Sequence, residues 1–216
     1  MPIPLLTDNE LRVLGCLLEK AVTTPDQYPL TLNALTNACN QKSGRNPVMK
    51  LSKGQVERAA LDLAEKHFVK EEENFKTGMK KYHQRFCNTG LHGFQFDSAQ
   101  YAVVTLAMLR GPQTPGEIRS RSGRLHEFAD NSEVMTSLQS LMEGEAGALF
   151  VKLPRTPGRK DSEFMHLLSG VIDLENYAPE APEPSSGGAR LSVAELAERL
   201  SALEQEVMEL KARLGE

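Results

Sequence analysis

The sequence predicts a mainly helical α+β protein with small β-hairpins, laid out as two consecutive domains of the same plan followed by a C-terminal helix. Three observations predict this. Helix-start signals recur just ahead of apolar stripes at helical spacing, each group of such segments is followed by two short β-like runs, and the chain ends on an unbroken heptad.

The first helix starts at Thr7-Asp8-Asn9-Glu10, where a Thr hydroxyl caps and a Glu three residues on reaches back. Leu11, Leu14, Leu18 and Val22 form its apolar face, Val13 and Leu17 widen the stripe, and Thr23-Thr24-Pro25-Asp26 stops it. A second helix is expected over about Thr31 to Gln41, with Leu32, Leu35, Ala38 and Cys39 inward, then a loop from Lys42 to Pro47. Ser52-Lys53-Gly54-Gln55 opens a third, which points Val56, Ala59, Ala60 and Leu63 inward and ends near His67. Phe68-Val69-Lys70 and Lys81 to Phe86 read as strands around the polar stretch Glu71 to Lys80. Three short helices, the last two as a helix-turn-helix, followed by a hairpin make a winged helix, placed at residues 1–90.

The order repeats over residues 91–175. Asp97-Ser98-Ala99-Gln100 opens a helix bearing Tyr101, Val104, Leu106 and Leu109 that ends at Gly111-Pro112, and Thr114-Pro115-Gly116-Glu117 opens a short one. A third spans about Ser132 to Met142, with Val134, Leu138 and Leu141 at core spacing. Leu149 to Leu153 and Phe164 to Leu168 flank a second wing, Pro154 to Lys160. Residues 176–190, rich in Pro, Ser and Gly, are expected to be a flexible linker, and 191–216 a coiled-coil helix. Its seam is Val193, Leu196, Leu200, Leu203, Val207, Leu210 and Leu214. β-branched Val193 and Val207 at two of the four a positions, with Leu at every d, favour a parallel homodimer.

Composition narrows the function. The 216 residues contain 40% hydrophobic and 25% charged residues, an ordinary globular balance. No apolar run approaches the roughly 18 residues that cross a bilayer, and the N-terminal segment lacks a basic flank, so a cytoplasmic location without membrane contact is expected. Cys16, Cys39 and Cys87 are odd in number and include no Cys-x-x-Cys pair, which predicts buried free thiols. His83, Cys87 and His92 lack a fourth ligand, and neither a metal nor a cofactor is expected. Nucleophile elbows, phosphate loops and zinc-helix motifs are absent, the five histidines stand singly, and His126 beside Glu127 is a surface neighbour, so the expectation is that the chain is not an enzyme.

The net charge of −4 hides an asymmetry. Gln41 to Arg85 carries 11 Lys and Arg against 6 Asp and Glu, whereas Leu167 to Glu216 carries 4 against 10. A phosphate backbone responds to the local field, within about 10 Å, and not to the total. Double-stranded DNA is therefore the expected partner of the first domain. Lys53, Gln55 and Arg58 would lie at the major groove, Lys42, Arg45 and Lys50 on phosphates, and Lys80, Lys81, His83 and Arg85 on the wing. Glu57, Asp62, Glu65 and Glu71-Glu72-Glu73 work against this by repelling phosphate. The third helix of the second domain exposes no cation, and the eight basic residues between Arg110 and His166 are balanced by eight acidic ones, which favours a protein partner there. The alternative for the whole chain is a protein-protein adaptor that never touches DNA.

The segments Leu11 to Gly15, Thr23 to Leu35 (Thr-Thr-Pro-Asp-Gln-Tyr-Pro-Leu-Thr-Leu-Asn-Ala-Leu), Asn40 to Ser43, Leu109 to Glu117, Phe128-Ala129-Asp130, Leu153-Pro154-Arg155 and His166 to Gly170 resemble the bacterial YceH family, over residues from about 5 to 170. The resemblance implies a tandem winged-helix fold and no particular biochemical activity. Gln84, where the family usually carries a basic residue, and the elaborated segment Glu71 to Met79 depart from its pattern and imply a less basic wing.

Overall fold

A computed structural model describes residues 5–74, 78–90, 94–144, 148–155, 161–174 and 177. The chain divides into two units, Met1–Tyr177 and Ala178–Glu216. The predicted heptad helix and most of the predicted linker lie outside the described residues.

Among the described residues the fold is α+β, with six helices and two small antiparallel sheets. In the first half, α1 (Asp8–Thr23) is followed by a 3-10 turn (Pro25–Gln27), β1 (Leu30–Thr31), α2 (Leu32–Cys39), α3 (Lys53–Glu65), β2 (Val69–Asn74) and β3 (Met79–Gln84). The second half contains α4 (Ser98–Arg110), α5 (Pro115–Arg121), α6 (Asn131–Met142), β4 (Phe150–Lys152) and β5 (Phe164–His166). Capping boxes close the starts of α1, α3, α4 and α5, each Ser, Thr or Asp side chain accepting the N–H three residues on while the Glu or Gln there bonds back.

β1, unmarked by any alternation in two residues, pairs with β3 at Leu30↔Tyr82, and the sheet order is β1-β3-β2. β2 and β3 pair from Val69↔Gln84 to Asn74↔Met79, so most of the predicted polar loop is hairpin. Opposite charges across the ladder, Glu72 facing Lys81 and Glu73 facing Lys80, let this polar segment hold strand geometry. The second half repeats the scheme with a single bridge, Gln113↔Phe164, standing against β5 as β1 stands against β3.

The two halves share one core. Residues Glu10 to Leu18 of α1 are all buried, as are Tyr101 to Leu109 of α4, because α1 packs against α2 and α3 on one side and against α4 on another. Gly15 marks the closest approach: a Cβ there would sit 2.9 Å from Leu109 Cδ2 and 3.1 Å from Met108 Cβ. Tyr101 donates its hydroxyl to the Leu18 carbonyl at 2.9 Å inside this contact. Leu6 N–H donates to the Leu168 carbonyl at 2.8 Å, tying the chain's start to the end of the second half. Glu10, buried at the first turn of α1, is paired with Lys66 at the end of α3. The stripe predicted for α1 runs one turn too far: Val22 is exposed, since the packing ends before the last turn.

Candidate nucleic-acid interface

The capping box fixes the start of α3 and spends a residue expected to read bases. Gln55 Oε1 accepts from Ser52 N–H and from Ser52 Oγ–H, both at 2.9 Å, so its amide closes the helix end, although the residue is exposed. Val56, Ala59, Ala60 and Leu63 face the core, which leaves Lys53, Arg58 and Leu61 outward. Arg58 Nε lies 2.9 Å from Asp62 Oδ1 one turn on, a pair open to solvent. Lys53 has no ion-pair partner among the described residues.

The loop between α2 and α3 is held from within. Asn40 donates Nδ2 to the Leu51 carbonyl at 2.8 Å and accepts Leu51 N–H at 2.7 Å, pinching the loop at its base. Arg12 reaches from α1 to the carbonyls of Cys39 at 3.2 Å and Pro47 at 2.6 Å. Arg45, expected on DNA phosphates, is a correction: its side chain has no exposed surface. Its Nη2 and Nη1 grip Glu19 at 2.6 and 3.0 Å, Nε donates to the Ala38 carbonyl at 3.2 Å, and Nη2 also meets Gln41 Oε1. A guanidinium with its donors so occupied cannot meet a phosphate without dismantling the loop. Burial alone would raise the Glu19 carboxyl, but the Arg45 hydrogen bonds and charge outweigh it and hold Glu19 below the usual range. Lys42 and Lys50, on the same loop, point to solvent.

On the hairpin, strand alternation puts Glu71, Glu73, Lys80 and Tyr82 on one face and Lys70, Glu72, Lys81 and His83 on the other. The first face lies toward α3, where Glu57 acts on Lys80 and Tyr82. Lys80 pairs with Glu71 at 2.9 Å and Lys70 with Glu72 at 2.7 Å. His83 Nε2 is 3.4 Å from Glu72, yet burial pulls its pKa below the ordinary value, so it adds little charge at neutral pH. Lys81 is exposed and Arg85 half-exposed, neither with an ion-pair partner among the described residues. The uncommitted cations of the predicted set are therefore Lys42, Lys50, Lys53, Lys81 and Arg85.

The second half presents a different face. Ser132, Met135, Thr136, Gln139, Ser140 and Glu143 of α6 line a shallow concavity without a cation. Its basic residues sit elsewhere, with Arg110 closing α4, Arg119 and Arg121 ending α5, and Arg124 just beyond. The structure also assembles a hydrogen-bonded chain that no sequence motif announces. Ser98 Oγ lies 3.0 Å from His126 Nδ1, and His126 Nε2 lies 2.9 Å from Glu133 Oε1, whose other oxygen accepts Ala129 N–H at 2.8 Å. The His126 partner is Glu133, seven residues on, and not the adjacent Glu127. Neither the concavity on α6 nor the one at the starts of α1 and α3 includes Ser98 or His126. The chain joins the starts of α4 and α6 and pins the loop between α5 and α6.

Cys16, Cys39 and Cys87 are buried free thiols, and Cys16 and Cys39, distant in sequence, are neighbours inside the first half. Among the described residues no group of three His, Cys, Asp or Glu is placed to hold a metal, and His92 lies outside them. No described helix is long and apolar enough to cross a membrane.

The chain is similar to proteins whose names assign no activity. It is 48% identical over 209 residues to UPF0502 protein Ent638_1581 of Enterobacter sp. (strain 638), covering 97% of this chain and 94% of that one. UPF0502 protein YceH of Salmonella typhimurium (strain LT2) is 46% identical over the same shares. The family described as "Protein of unknown function, DUF480" matches residues 6–159. With a family match over most of its length and relatives alike nearly end to end, the chain belongs to this DUF480, or UPF0502 YceH, family.

Proposed function

We propose that the Met1–Tyr177 unit is a pair of winged helices and that the first binds double-stranded DNA, with α3 at the major groove and the β2–β3 hairpin as its wing, and catalyses no reaction. The observation that supports this best is the order α1, β1, α2, α3, β2, β3 joined by the β1-β3-β2 sheet, which sets a capped helix carrying Lys53 and Arg58 outward beside a hairpin. Lys53 then meets a phosphate at the edge of the groove, Lys42 and Lys50 meet phosphates from the loop, and Lys81 and Arg85 from the wing. Arg58 and Lys80 join only by leaving Asp62 and Glu71. The heptad seam from Val193 to Leu214 pairs two chains, so that two such surfaces act together.

Titration of labelled duplex DNA with the intact chain over a range of salt tests this. Five uncommitted cations on phosphates predict a slope of log affinity against log salt of about −4.5. Absence of binding at low salt, or an affinity indifferent to salt, would overturn the reading. A second reading, an adaptor that binds protein, is favoured by the cation-free face of α6 and by the ion pairs that neutralise the hairpin.

A further inference from the structure

Cations not used by α3 or the hairpin gather where the two halves meet. Asn46 N–H donates to the Leu109 carbonyl at 2.9 Å and Asn46 Nδ2 to the Arg110 carbonyl at 3.4 Å, which fastens the α2–α3 loop to the end of α4. The Arg110 side chain lies along this seam, its Nη2 only 3.6 Å from where a Cβ on Gly44 would stand. Arg121 approaches from α5, with Nη1 on Gln113 Oε1 at 3.3 Å and Nη2 on Glu117 Oε1 at 3.2 Å.

Both carboxylates in this neighbourhood are already committed. Glu19 holds Arg45 and Lys20, and Glu117 caps Thr114 while holding Arg121. Arg110 is left over: its guanidinium donates to no acceptor among the described residues. Its pKa is lowered by burial first, then by the fields of Arg121 and Arg45, which Glu19 and Glu117 oppose only in part. Like charges held together at a half-buried seam oppose folding, and an anion bound between them relieves that opposition. Arginine is the side chain suited to such an anion when it is a phosphate, because its planar fork donates two parallel hydrogen bonds.

We propose that this seam, through Arg110 and Arg121, binds backbone phosphates of the same DNA duplex that α3 contacts. The second half thereby positions the duplex although α6 has no cation with which to read it. The proposal rests on the DNA reading above and deepens it. The α2–α3 loop supplies the continuity, since it touches Arg110 at Gly44 and Asn46 and enters α3 only a few residues later. Contacts of this kind fix register and carry no sequence preference.

The test compares salt slopes for a labelled duplex of about 30 base pairs bound by the intact chain and by its Arg110→Gln/Arg121→Gln variant. Arg110 adds one phosphate contact and Arg121, on leaving Glu117, a second, so the wild-type slope steepens from about −4.5 to about −6.3, and the double variant returns to about −4.5. Its thermal midpoint stays nearly unchanged, because the repulsion relieved at Arg110 offsets the loss of the partly exposed Arg121–Glu117 pair. Arg110→Lys, which keeps the charge, retains most of the wild-type slope. The seam proposal is overturned if the wild type binds DNA and the double variant keeps its slope, or if the variant loses DNA binding together with a lowered midpoint. Lys53→Ala separates the two ideas. Weakened binding in Lys53→Ala with an unchanged slope in the double variant leaves α3 on the DNA and removes the seam, the opposite pattern removes α3, and no binding by the wild type removes both.

Discussion

Replacing Arg45 by Ala should destabilise the protein far more than replacing any lysine of the same loop. The side chain is wholly buried and makes a two-pronged ion pair with Glu19 at 2.6 and 3.0 Å, plus hydrogen bonds to Ala38, Gly44 and Gln41. Removing one member of a buried pair strands the other charge, typically at a cost of about 3–5 kcal/mol. Glu19 is still 19% exposed and keeps Lys20 at 3.2 Å, which places the loss at the low end, about 3 kcal/mol. For a unit of this size that corresponds to a fall in Tm of roughly 6–12 °C. Lys42→Ala should stay within about 0.5 kcal/mol of the parent. Glu19→Ala combined with Arg45→Ala leaves no stranded charge, so the double variant should lose less than the two single losses added, by roughly 0.5–3 kcal/mol. Urea unfolding of the wild type, the three single variants and the double variant measures all of this. An Arg45→Ala chain within about 0.5 kcal/mol of wild type, or strict additivity in the cycle, would refute the structural role and return Arg45 to the surface.

Gly15→Ala should destabilise by about 1 kcal/mol in urea unfolding, the strain of a Cβ 2.9 Å from Leu109 (about 1–3 kcal/mol) exceeding the helix propensity gained (about 1 kcal/mol); a stabilised variant would show that α1 and α4 can move apart freely. His166, buried on β5 with Nδ1 unpartnered, has its pKa pulled down from 6.5 to about 4 by burial, so the folded protein resists the proton that the unfolded chain accepts. Its contribution is therefore intact above pH 6.5 and falls away as pH drops toward 4, by up to about 3 kcal/mol, and His166→Met should flatten unfolding stability between pH 6.5 and 5, above the carboxylate range, where His83 contributes a smaller slope of the same sign; an unchanged slope would locate the acid sensitivity elsewhere. Light scattering over a dilution series should find the intact chain dimerising weakly and a chain ending at Tyr177 monomeric, whereas equal dimerisation of both would remove the heptad seam from the account.

The parts legible in the sequence are those whose cause is local. Thr7 with Glu10, Ser52 with Gln55, Asp97 with Gln100 and Thr114 with Glu117 lie within one helical turn, and each forms the expected cap. What was not legible depends on distant partners. Arg45 stands in a Gly-Arg-Asn-Pro stretch that reads as exposed, and only Glu19, 26 residues earlier, explains its burial. The polar run after Val69 reads as loop because its strand character comes from charges paired across the hairpin. A two-residue strand at Leu30–Thr31 has no periodicity to detect. Ser98, His126 and Glu133 meet only when α4 and α6 pack together, and the cations at the seam share a neighbourhood only because Asn46 reaches the end of α4. At the candidate interface the sequence located the basic segment but not which of its cations are already spent.

The most direct test of the account is the affinity of the intact chain for duplex DNA when only its uncommitted surface lysines are removed. Lys42, Lys50, Lys53 and Lys81 are exposed and without ion-pair partners among the described residues, so their joint replacement by Ala should leave the unfolding transition nearly unchanged. Four fewer phosphate contacts should make the slope of log affinity against log salt shallower by about 3.6. Anisotropy of a labelled duplex, titrated with both proteins across a salt series, reads this directly. A folded variant with the lowered slope and a large loss of affinity at low salt is the predicted result, and a folded variant that binds DNA as wild type does would contradict the account.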